Sequence, residues 1–449
     1  MPHYVHSTSK RRYFPGGQIH RVKKAWGEEQ WIVNKEYCGK KLVLKKNHRC
    51  SMHEHKKKDE VFYLQSGKVQ LELDGEMFTL SPGDFIHIPA GLPHRFTGLE
   101  DSEIMEFSTM HDEEDSYRSE FSGHVEQDRY DRQSALIEKF KGLPVLVVGD
   151  VMLDTYLVGS IDRVSPEAPI PVVRYRSEHS VPGGAANAAM NAAKLGAKVS
   201  LVGVCGDDAP AKELEKLLAA GGVKPVLIQD RKRRTTLKNR ILAESGQQVV
   251  RLDYEEDESV PPTLGKKLLA QVEKLLPKCK ALLLSDYAKG VFTPEVLAAC
   301  IKLAAKAKVS VVLDPKPLDS SYLEAARGAT VVTPNRREAQ ILASSASKSP
   351  EDLGHMLAKK IRGSVLLTLG AHGMLLIARD GSTQSFPALT REVSDVSGAG
   401  DTVTAVLTLV LAAGGSLADG ADLSNRAASV VVTKQGTATL TPEEFLRVL

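Results

Sequence analysis

Six short, nearly continuous apolar runs recur between Val145 and Gly370: "VLVVGD", "VSLVGVCG", "ALLLSDY", "VSVVLDP", "ATVVTPN" and "SVLLTLG". A strand with one wet face alternates apolar and polar residues. A run that does not alternate needs cover on both faces, and helices supply it when they alternate with the strands of a parallel sheet. The intervening stretches fit that demand: "GGAANAAMNAAKLG", "APAKELEKLLAAGG" and "PEVLAACIKLAAKAK" read as helices. From about Leu143 onward we expect a doubly wound α/β domain. Most of the runs end in a polar or glycine residue, at Asp150, Asp286, Asp314, Asn335 and Gly370. Ligands bind outside the carboxyl ends of the strands in such sheets, so these residues fall where a site belongs.

The first quarter of the chain has a different pattern. From about Arg21 to Ser108 short alternating strands follow one another without helical stretches. "EVFYLQSGKVQLELDGEMFTL" reads as three strands with turns at Ser66-Gly67 and Asp74-Gly75, and "DFIHIPAG" as another strand ended by Pro and Gly. Even spacing predicts a small antiparallel barrel or jelly roll. Between Met110 and Gln133 the chain is highly charged and poor in aliphatic residues, which predicts a linker or an exposed helical connection. The expected organisation is a barrel over 1–110, a charged linker over 111–140 and an α/β domain over 141–449.

With 449 residues, 42% of them hydrophobic and 26% charged, the chain has ample core for this plan. A net charge of +3 gives no ground for nucleic-acid binding, and the basic runs "KKLVLKK" and "HEHKKK" read as solvated faces. The five cysteines are scattered, odd in number and without a CxxC pair, which fits a reducing cytoplasm. The first residues hold no apolar leader segment, and "VTAVLTLVLAAG" is too short to cross a bilayer, so it reads as a buried helix.

In the barrel, His53 and His55 are two apart and face the same way on a strand, Glu60 follows, and "GDFIHIPAGLPH" supplies His94. Three imidazoles and a carboxylate would hold a divalent metal with positions left open, and Zn, Fe, Mn and Ni all suit the set. The spacing resembles the two motifs of the cupin family, with Asn47 in place of the first motif's leading glycine and Gly98 in place of the second motif's asparagine. "KKAWGEEQWIV", "SMHEHKKKDEVFYLQSG" and "HIPAGLPHRF" are similar to the sugar-isomerase and sugar-phosphate-isomerase cupins. That resemblance implies aldose–ketose isomerisation with Glu103 or Glu106 as the base. The competing expectation is a cupin that binds a sugar without catalysis.

In the α/β half, "DVSGAGDT" opens the buried helix. The amides of Gly398, Ala399 and Gly400 would point outward at its positive end and make an anion site, and Asp401 beside them is placed to accept a proton. "GDVMLD" and "PGGAAN" put Asp150, Asp154, Gly183, Gly184 and Asn187 at strand ends and a helix start, a set suited to vicinal hydroxyls. Together with "SDYAKG" and "TPNRRE", these stretches resemble the ribokinase-like (PfkB) sugar kinases over roughly 140–449. The resemblance implies a small β lid from the segment 155–181, ATP and Mg²⁺ as cofactors, Asp401 as base, Gly398–Gly400 as anion hole, and Asn335 and Glu338 ordering Mg²⁺ and phosphates through water. It also implies a homodimer through the lid.

"RVSPEAPIPVV", "TTLKNRI", "QQVVRLDYE" and "DPK" bring the resemblance closer to the heptose-7-phosphate kinases, the kinase half of bifunctional ADP-heptose synthesis enzymes. They imply phosphorylation of D-glycero-D-manno-heptose 7-phosphate at its anomeric hydroxyl, with Lys238 and Arg240 gripping the 7-phosphate. "DPKPLDSS" departs from the usual DPKG-x-D, and Ser397 stands where threonine is common. No HxGH-type nucleotidyltransferase motif occurs, so the adenylylating half is expected to be absent.

Overall fold

The computed structural model describes residues 5–6, 13, 19–112, 115–118, 122–124, 127–389, 393–434 and 436–449. Most of the N-terminal stretch read above as lacking a leader segment lies outside them. The chain forms two compact units, Met1–Arg132 and Gln133–Leu449.

The first unit is a two-sheet barrel of the cupin type, antiparallel except where Val5–His6 pairs parallel with Gly27–Asn34. One sheet carries the strands Val5–His6, Gly27–Asn34, Tyr37–Leu44, Ser102–Thr109, Glu60–Ser66 and Phe85–Ile88 in that spatial order, with His20–Lys24 on Gly27–Asn34. The other pairs Tyr117–Arg118, His53–Glu54, His94–Gly98, His48–Arg49 and Gly123–His124, with the hairpin Val69–Leu73/Glu76–Leu80 attached to His94–Gly98. Alternation sends Phe62, Leu64 and Ile104 inward against Trp26, Leu71 and Phe96, each burial worth about 1.5–3 kcal/mol. Asp74-Gly75 closes a hairpin, both residues having positive φ. Ser66-Gly67 does not: it carries the chain from one sheet to the other, because Glu60–Ser66 pairs with Ser102–Thr109 and Phe85–Ile88 instead.

Two sequence expectations change here. The charged segment after Met110 contributes barrel strands, Tyr117–Arg118 and Gly123–His124, before the helix Gln127–Glu138. The basic runs are not wholly solvated: Lys40 is 2% exposed and Lys58 4%. Both lie beside buried glutamates, whose spacing along other strands was not legible as a partner set.

The second unit is a doubly wound sheet. Its spatial order among the described residues is Lys224–Asp230, Lys198–Gly206, Pro144–Gly149, Ala281–Ser285, Ser310–Asp314, Val331–Val332, Ser364–Thr368, Met374–Ile377 and Thr383–Phe386. The first seven are parallel, and the last two turn back antiparallel at one edge. The unbroken apolar runs are explained by two cores. Val145, Val147, Leu283, Val312 and Leu366 face one, with the helices Ala185–Lys194, Ala399–Ala412 and Leu417–Val431. Leu146, Val148, Leu282, Leu284, Val311, Val365 and Leu367 face the other.

A four-stranded lid stands apart from this sheet: Pro171–Gly184, Val151–Val164, Thr236–Ala243 and Gln248–Tyr254, in that order. The expected lid segment 155–181 supplies its first hairpin, and residues 236–254 add a second. Among the described residues no helix is long and apolar enough to cross a membrane.

Candidate functional site

Asp401 sits in the first turn of the helix Ala399–Ala412, at the carboxyl end of the sheet, and is 3% exposed. Its carboxylate is held on both oxygens. Tyr287 donates its hydroxyl to Oδ1 at 2.6 Å, and Asn187 Nδ2 donates to Oδ2 at 2.7 Å. Burial pushes the Asp401 acid up to about 6; the two donors pull it down, and the charge of Asp154 adds to the rise. A carboxylate tuned this way is a competent base near neutral pH.

Gly398 caps this helix at φ 77°, and a Cβ there would lie 2.7 Å from Asn187 Nδ2. Only glycine permits both the left-handed turn and the close approach. Ala399 N donates to Val396 O at 3.2 Å, so the open amides of this helix end belong to Gly400 and Asp401. A Cβ at Gly400 would meet nothing within 4 Å, so the helix start is open on the side where that side chain would stand. Asp395, the first acid of "DVSGAGDT", ties the turn down by accepting from Ser397 N at 2.8 Å and Gly436 N at 3.0 Å.

Asp154 is 5% exposed and paired with Arg240 at 2.6 Å. Register places Lys238 directly beside Asp154 on the neighbouring strand, and Arg240 beside Tyr156. Lys238 makes no ion pair with a described residue. The Asp154 carboxylate fills the space where a Gly183 side chain would go, and Gly184, at φ 58°, caps the helix Ala185–Lys194. Thr437 connects the groups, contacting Asp154 Oδ2 at 3.5 Å and Tyr156 Oη at 3.2 Å while its methyl lies 3.2 Å from the Gly398 Cβ position. Asp154, Asn187, Gly183, Arg240, Gly398 and Asp401 thus form one contiguous set.

Asp150 stands differently. Its oxygens accept from the amides of Tyr287, Lys289 and Val291 at 2.8, 3.1 and 3.2 Å, so it holds a loop rather than facing open space. Asn335 and Glu338 close a capping box on the helix Arg336–Ala343, with Glu338 N to Asn335 Oδ1 and Asn335 N to Glu338 Oε2 both 2.9 Å, while Lys316 pairs with Glu338 at 2.9 Å. A further acid, Asp314, which the sequence placed at a strand end without a role, acts on both Glu338 and Asp401. Asp314 is pushed well above the usual carboxylate range by burial and by the charges of Asp401, Glu338 and Asp286. Acids that raise one another in this way fit a divalent cation, which relieves the repulsion.

In the barrel, the pairing of His94 with His53 brings the histidines together. The ligand atoms of His53, His55 and His94 lie within 4.8 Å of one another. Each ring turns its Nδ1 to a carbonyl: His53 to Ser51 O at 2.8 Å, His55 to Asp115 O at 2.8 Å, His94 to Leu92 O at 3.1 Å. That leaves each Nε2 as the free ligand atom. Burial, then the neighbouring His94, lowers His53 to about 4, so the ring is neutral. Glu60 Oε2 lies 3.1 Å from His94 Nε2, and neither atom has a hydrogen-bond partner besides among the described residues. These residues fit a metal. Asp115, from the charged segment, fixes the HEH turn by accepting from the amides of Lys56, Lys57 and Lys58 at 3.0–3.1 Å.

His53, His55 and Glu60 line a cavity of about 160 Å³ that also holds Lys40, Lys58, Glu106 and His111. Lys58 Nζ bridges Glu60 and Glu106, the latter at 2.5 Å. Glu103 is on the outer face, paired with Lys41 at 2.8 Å, so only Glu106 of the two candidate bases reaches the cavity.

A parallel sheet with a β lid and a buried acid at a glycine-capped helix start is the architecture of the ribokinase-like kinases. The chain belongs to the pfkB family of carbohydrate kinases, whose model matches residues 144–444. A cupin domain model matches residues 41–110. Among curated relatives, the bifunctional protein HldE of Paramagnetospirillum magneticum is 41% identical over 69% of this chain and 64% of its own length. That of Caulobacter vibrioides is 43% identical over 70% and 65%. The chain thus spans a little under two thirds of the length of these relatives. Among solved structures, Escherichia coli phosphofructokinase-2 in complex with potassium matches with a TM-score of 0.57 at 21% identity, covering 69% of this chain and 98% of that one. Arabidopsis thaliana ribokinase complexed with ribose and ATP matches with a TM-score of 0.53 at 21% identity, covering 68% and 98%.

Proposed function

We propose that the chain is an ATP-dependent kinase of a sugar phosphate, D-glycero-D-manno-heptose 7-phosphate, and adds the second phosphate at the anomeric oxygen. The observation that carries this reading is Lys238: an ammonium group without a carboxylate partner among the described residues, beside the Asp154–Arg240 pair and facing the same way. A phosphate on the substrate supplies the missing counter-charge. The relatives named bifunctional protein HldE support the heptose assignment.

In this mechanism Asp154 and Asn187 orient sugar hydroxyls, and Asp401 takes the proton of the anomeric hydroxyl. The freed oxygen bonds to the γ-phosphorus of ATP as the bond to the ADP oxygen breaks. The amides of Gly400 and Asp401 stabilise the negative charge in transfer. Asn335, Glu338 and Asp314 would hold Mg²⁺, which would supply charge neutralisation at the phosphates. Asp150 acts on the loop it binds and not on the sugar. The exposed lid residues Ile161, Tyr175, Val250 and Leu252 suit a homodimer contact, and five free thiols suit a reducing cytoplasm.

For the cupin we favour metal-dependent binding of a related sugar phosphate over isomerisation. Glu106, the one candidate base in the cavity, is already engaged by Lys58 and accepts from Ser108 at 3.3 Å. Metal-loaded protein given sedoheptulose 7-phosphate without ATP should yield no aldose; an aldose product overturns that preference.

The kinase reading is tested with Mg²⁺-ATP and a panel of sugars, following ADP release and the product's ³¹P spectrum. We expect heptose 7-phosphate to be turned over well above unphosphorylated heptose, and Lys238→Ala to raise KM for the phosphosugar at least tenfold. Preference for an unphosphorylated sugar, or an unchanged KM, refutes phosphate recognition.

A further inference from the structure

We propose that Tyr287 is a positioning residue for Asp401: its phenol fixes the carboxylate in the orientation that receives the substrate proton. This rests on the kinase reading above and assigns a part of the machinery that reading leaves out.

The argument begins with the loop that carries Tyr287, between the strand Ala281–Ser285 and the helix Pro294–Ala307. The loop is held from several sides. Asp150, at the end of the adjacent strand, accepts three of its amides. Asp286 Oδ1 accepts from Ala288 N at 2.7 Å, and Ala288 itself stands at φ 54°, a left-handed conformation that costs a non-glycine residue energy. Gly290, at φ 86°, is so closely faced by the Glu258 carbonyl that no side chain fits. Arg233 donates to Lys289 O at 2.7 Å, and Val260 N donates to Gly290 O at 2.9 Å. A loop that keeps a strained residue under this many restraints has a fixed shape, and what it presents to the site is the Tyr287 hydroxyl.

That hydroxyl meets Asp401 Oδ1 at 2.6 Å, opposite the Asn187 donor on Oδ2. One donor alone would leave the carboxylate free to turn about Cβ–Cγ. Two donors, one on each oxygen, fix its plane and still leave a lone pair on each oxygen for a sugar hydroxyl. The charged groups acting on this pair are Asp154 on the lid strand and Asp314 on the next sheet strand, both acids, while Tyr287 and Asn187 are the donors in contact. Burial and the charges of Asp401 and Asp314 push the phenol well above its usual range, so it stays protonated and serves as a donor, not as a base.

The test is Tyr287→Phe, which keeps the ring and removes the donor. We expect kcat to fall about tenfold or more, KM for the sugar to stay within about twofold, and the acidic limb of the kcat/KM profile to move up by about one pH unit, as loss of a hydrogen bond to a charged group implies. Fluorotyrosine at position 287, a stronger donor of nearly the same size, should move that limb down. A fall in kcat with no movement of the limb in either variant marks a merely structural role and overturns the proposal. A second arm needs no substrate. In protein carrying ¹³Cγ-aspartate, the Asp401 resonance, assigned by its loss in Asp401→Asn, should titrate at higher pH in Tyr287→Phe than in the unaltered protein. Coincident titrations overturn the proposal, even if no sugar of the panel is phosphorylated and the kinase reading has failed on its own account.

Discussion

Replacing Lys58 with methionine removes one ammonium group from the interior of the barrel and leaves its partners behind. The side chains of Lys58, Glu60 and Glu106 are 3%, 2% and 5% exposed. After the change the nearest remaining cation to Glu106 among the described residues is Lys40, at 3.8 Å. Methionine fills nearly the same volume, so the cost comes from charge and not from a cavity. Breaking a buried pair by removing one partner costs about 3–5 kcal/mol. With a urea m-value of about 2 kcal/mol/M for a unit of this size, the unfolding midpoint should fall by about 1.5–2.5 M. The chain offers a clean reporter, because its two tryptophans, Trp26 and Trp31, are both in the barrel and both buried. Trp emission during urea unfolding of metal-free protein therefore follows this unit alone. Burial opposes ionisation of Glu106, but the Lys40 and Lys58 charges outweigh it and hold the acid below its ordinary range. Stability from such a group is present above its unfolded pKa and is lost as pH falls through the folded one, so the gap between variant and parent should narrow in acid. Lys58→Met/Glu106→Leu, which removes one charge of each sign, should recover part of the loss. A midpoint unchanged by Lys58→Met would show that the lysine contributes no net stabilisation and would refute the reasoning.

Three further outcomes follow from the geometry. Gly398→Ala should cost about 1–2 kcal/mol through its left-handed φ and, by displacing Asn187 from Asp401, lower kcat at least tenfold; melting curves with steady-state kinetics check both, and an unchanged kcat counts against the Asn187 contact. Asp286 is pushed up to about 7 by burial and the charge of Asp150, and Asp401 and Asp314 are raised as well, so the stability these acids contribute is present below their unfolded pKa and lost as pH rises through the folded values. The second unit, followed by its helical circular dichroism, should thus be less stable at about pH 8 than at about pH 5.5, with a smaller difference in Asp286→Asn; equal stability at both refutes it. Adding a divalent transition metal to chelator-treated protein should raise the Trp-reported midpoint, by about 2.7 kcal/mol at a hundredfold excess over Kd, and His53→Ala with His94→Ala should abolish the rise.

How far the sequence could be read depended on whether a residue's role leaves a mark on residue type. The parallel strands were legible because burial on both faces forbids alternation, as in Leu282, Leu283 and Leu284 with their two separate cores. Strand order and the antiparallel edge Met374–Phe386 were not, because they follow from which faces pack together and not from any local pattern. His53, His55 and His94 were legible because ligand atoms impose spacing. The three amide contacts of Asp150 were not, since an acid that accepts backbone amides reads the same as one that meets a sugar. Lys40 and Lys58 looked like solvated residues because the acid they share, Glu106, comes from a strand 48 residues or more further along the chain. Tyr287 lay within a quoted stretch, yet a tyrosine in "SDYAKG" has no spacing rule that ties it to an aspartate 114 positions later.

The strand Val151–Val164 runs from the sheet into the lid as one covalent rod. Its first six residues are buried and its last four exposed. Mechanically it is a cantilever: clamped at Val151–Tyr156, free toward the tip at Ser165–Ile170. A load at the tip is taken up at the register breaks near Val158–Gly159 and Ile161–Arg163, and deflection grows with distance from the clamp. Asp154, and Lys238 and Arg240 on the strand hydrogen-bonded alongside it, all lie at or near the clamped end. Whatever the tip touches, these three residues should move least.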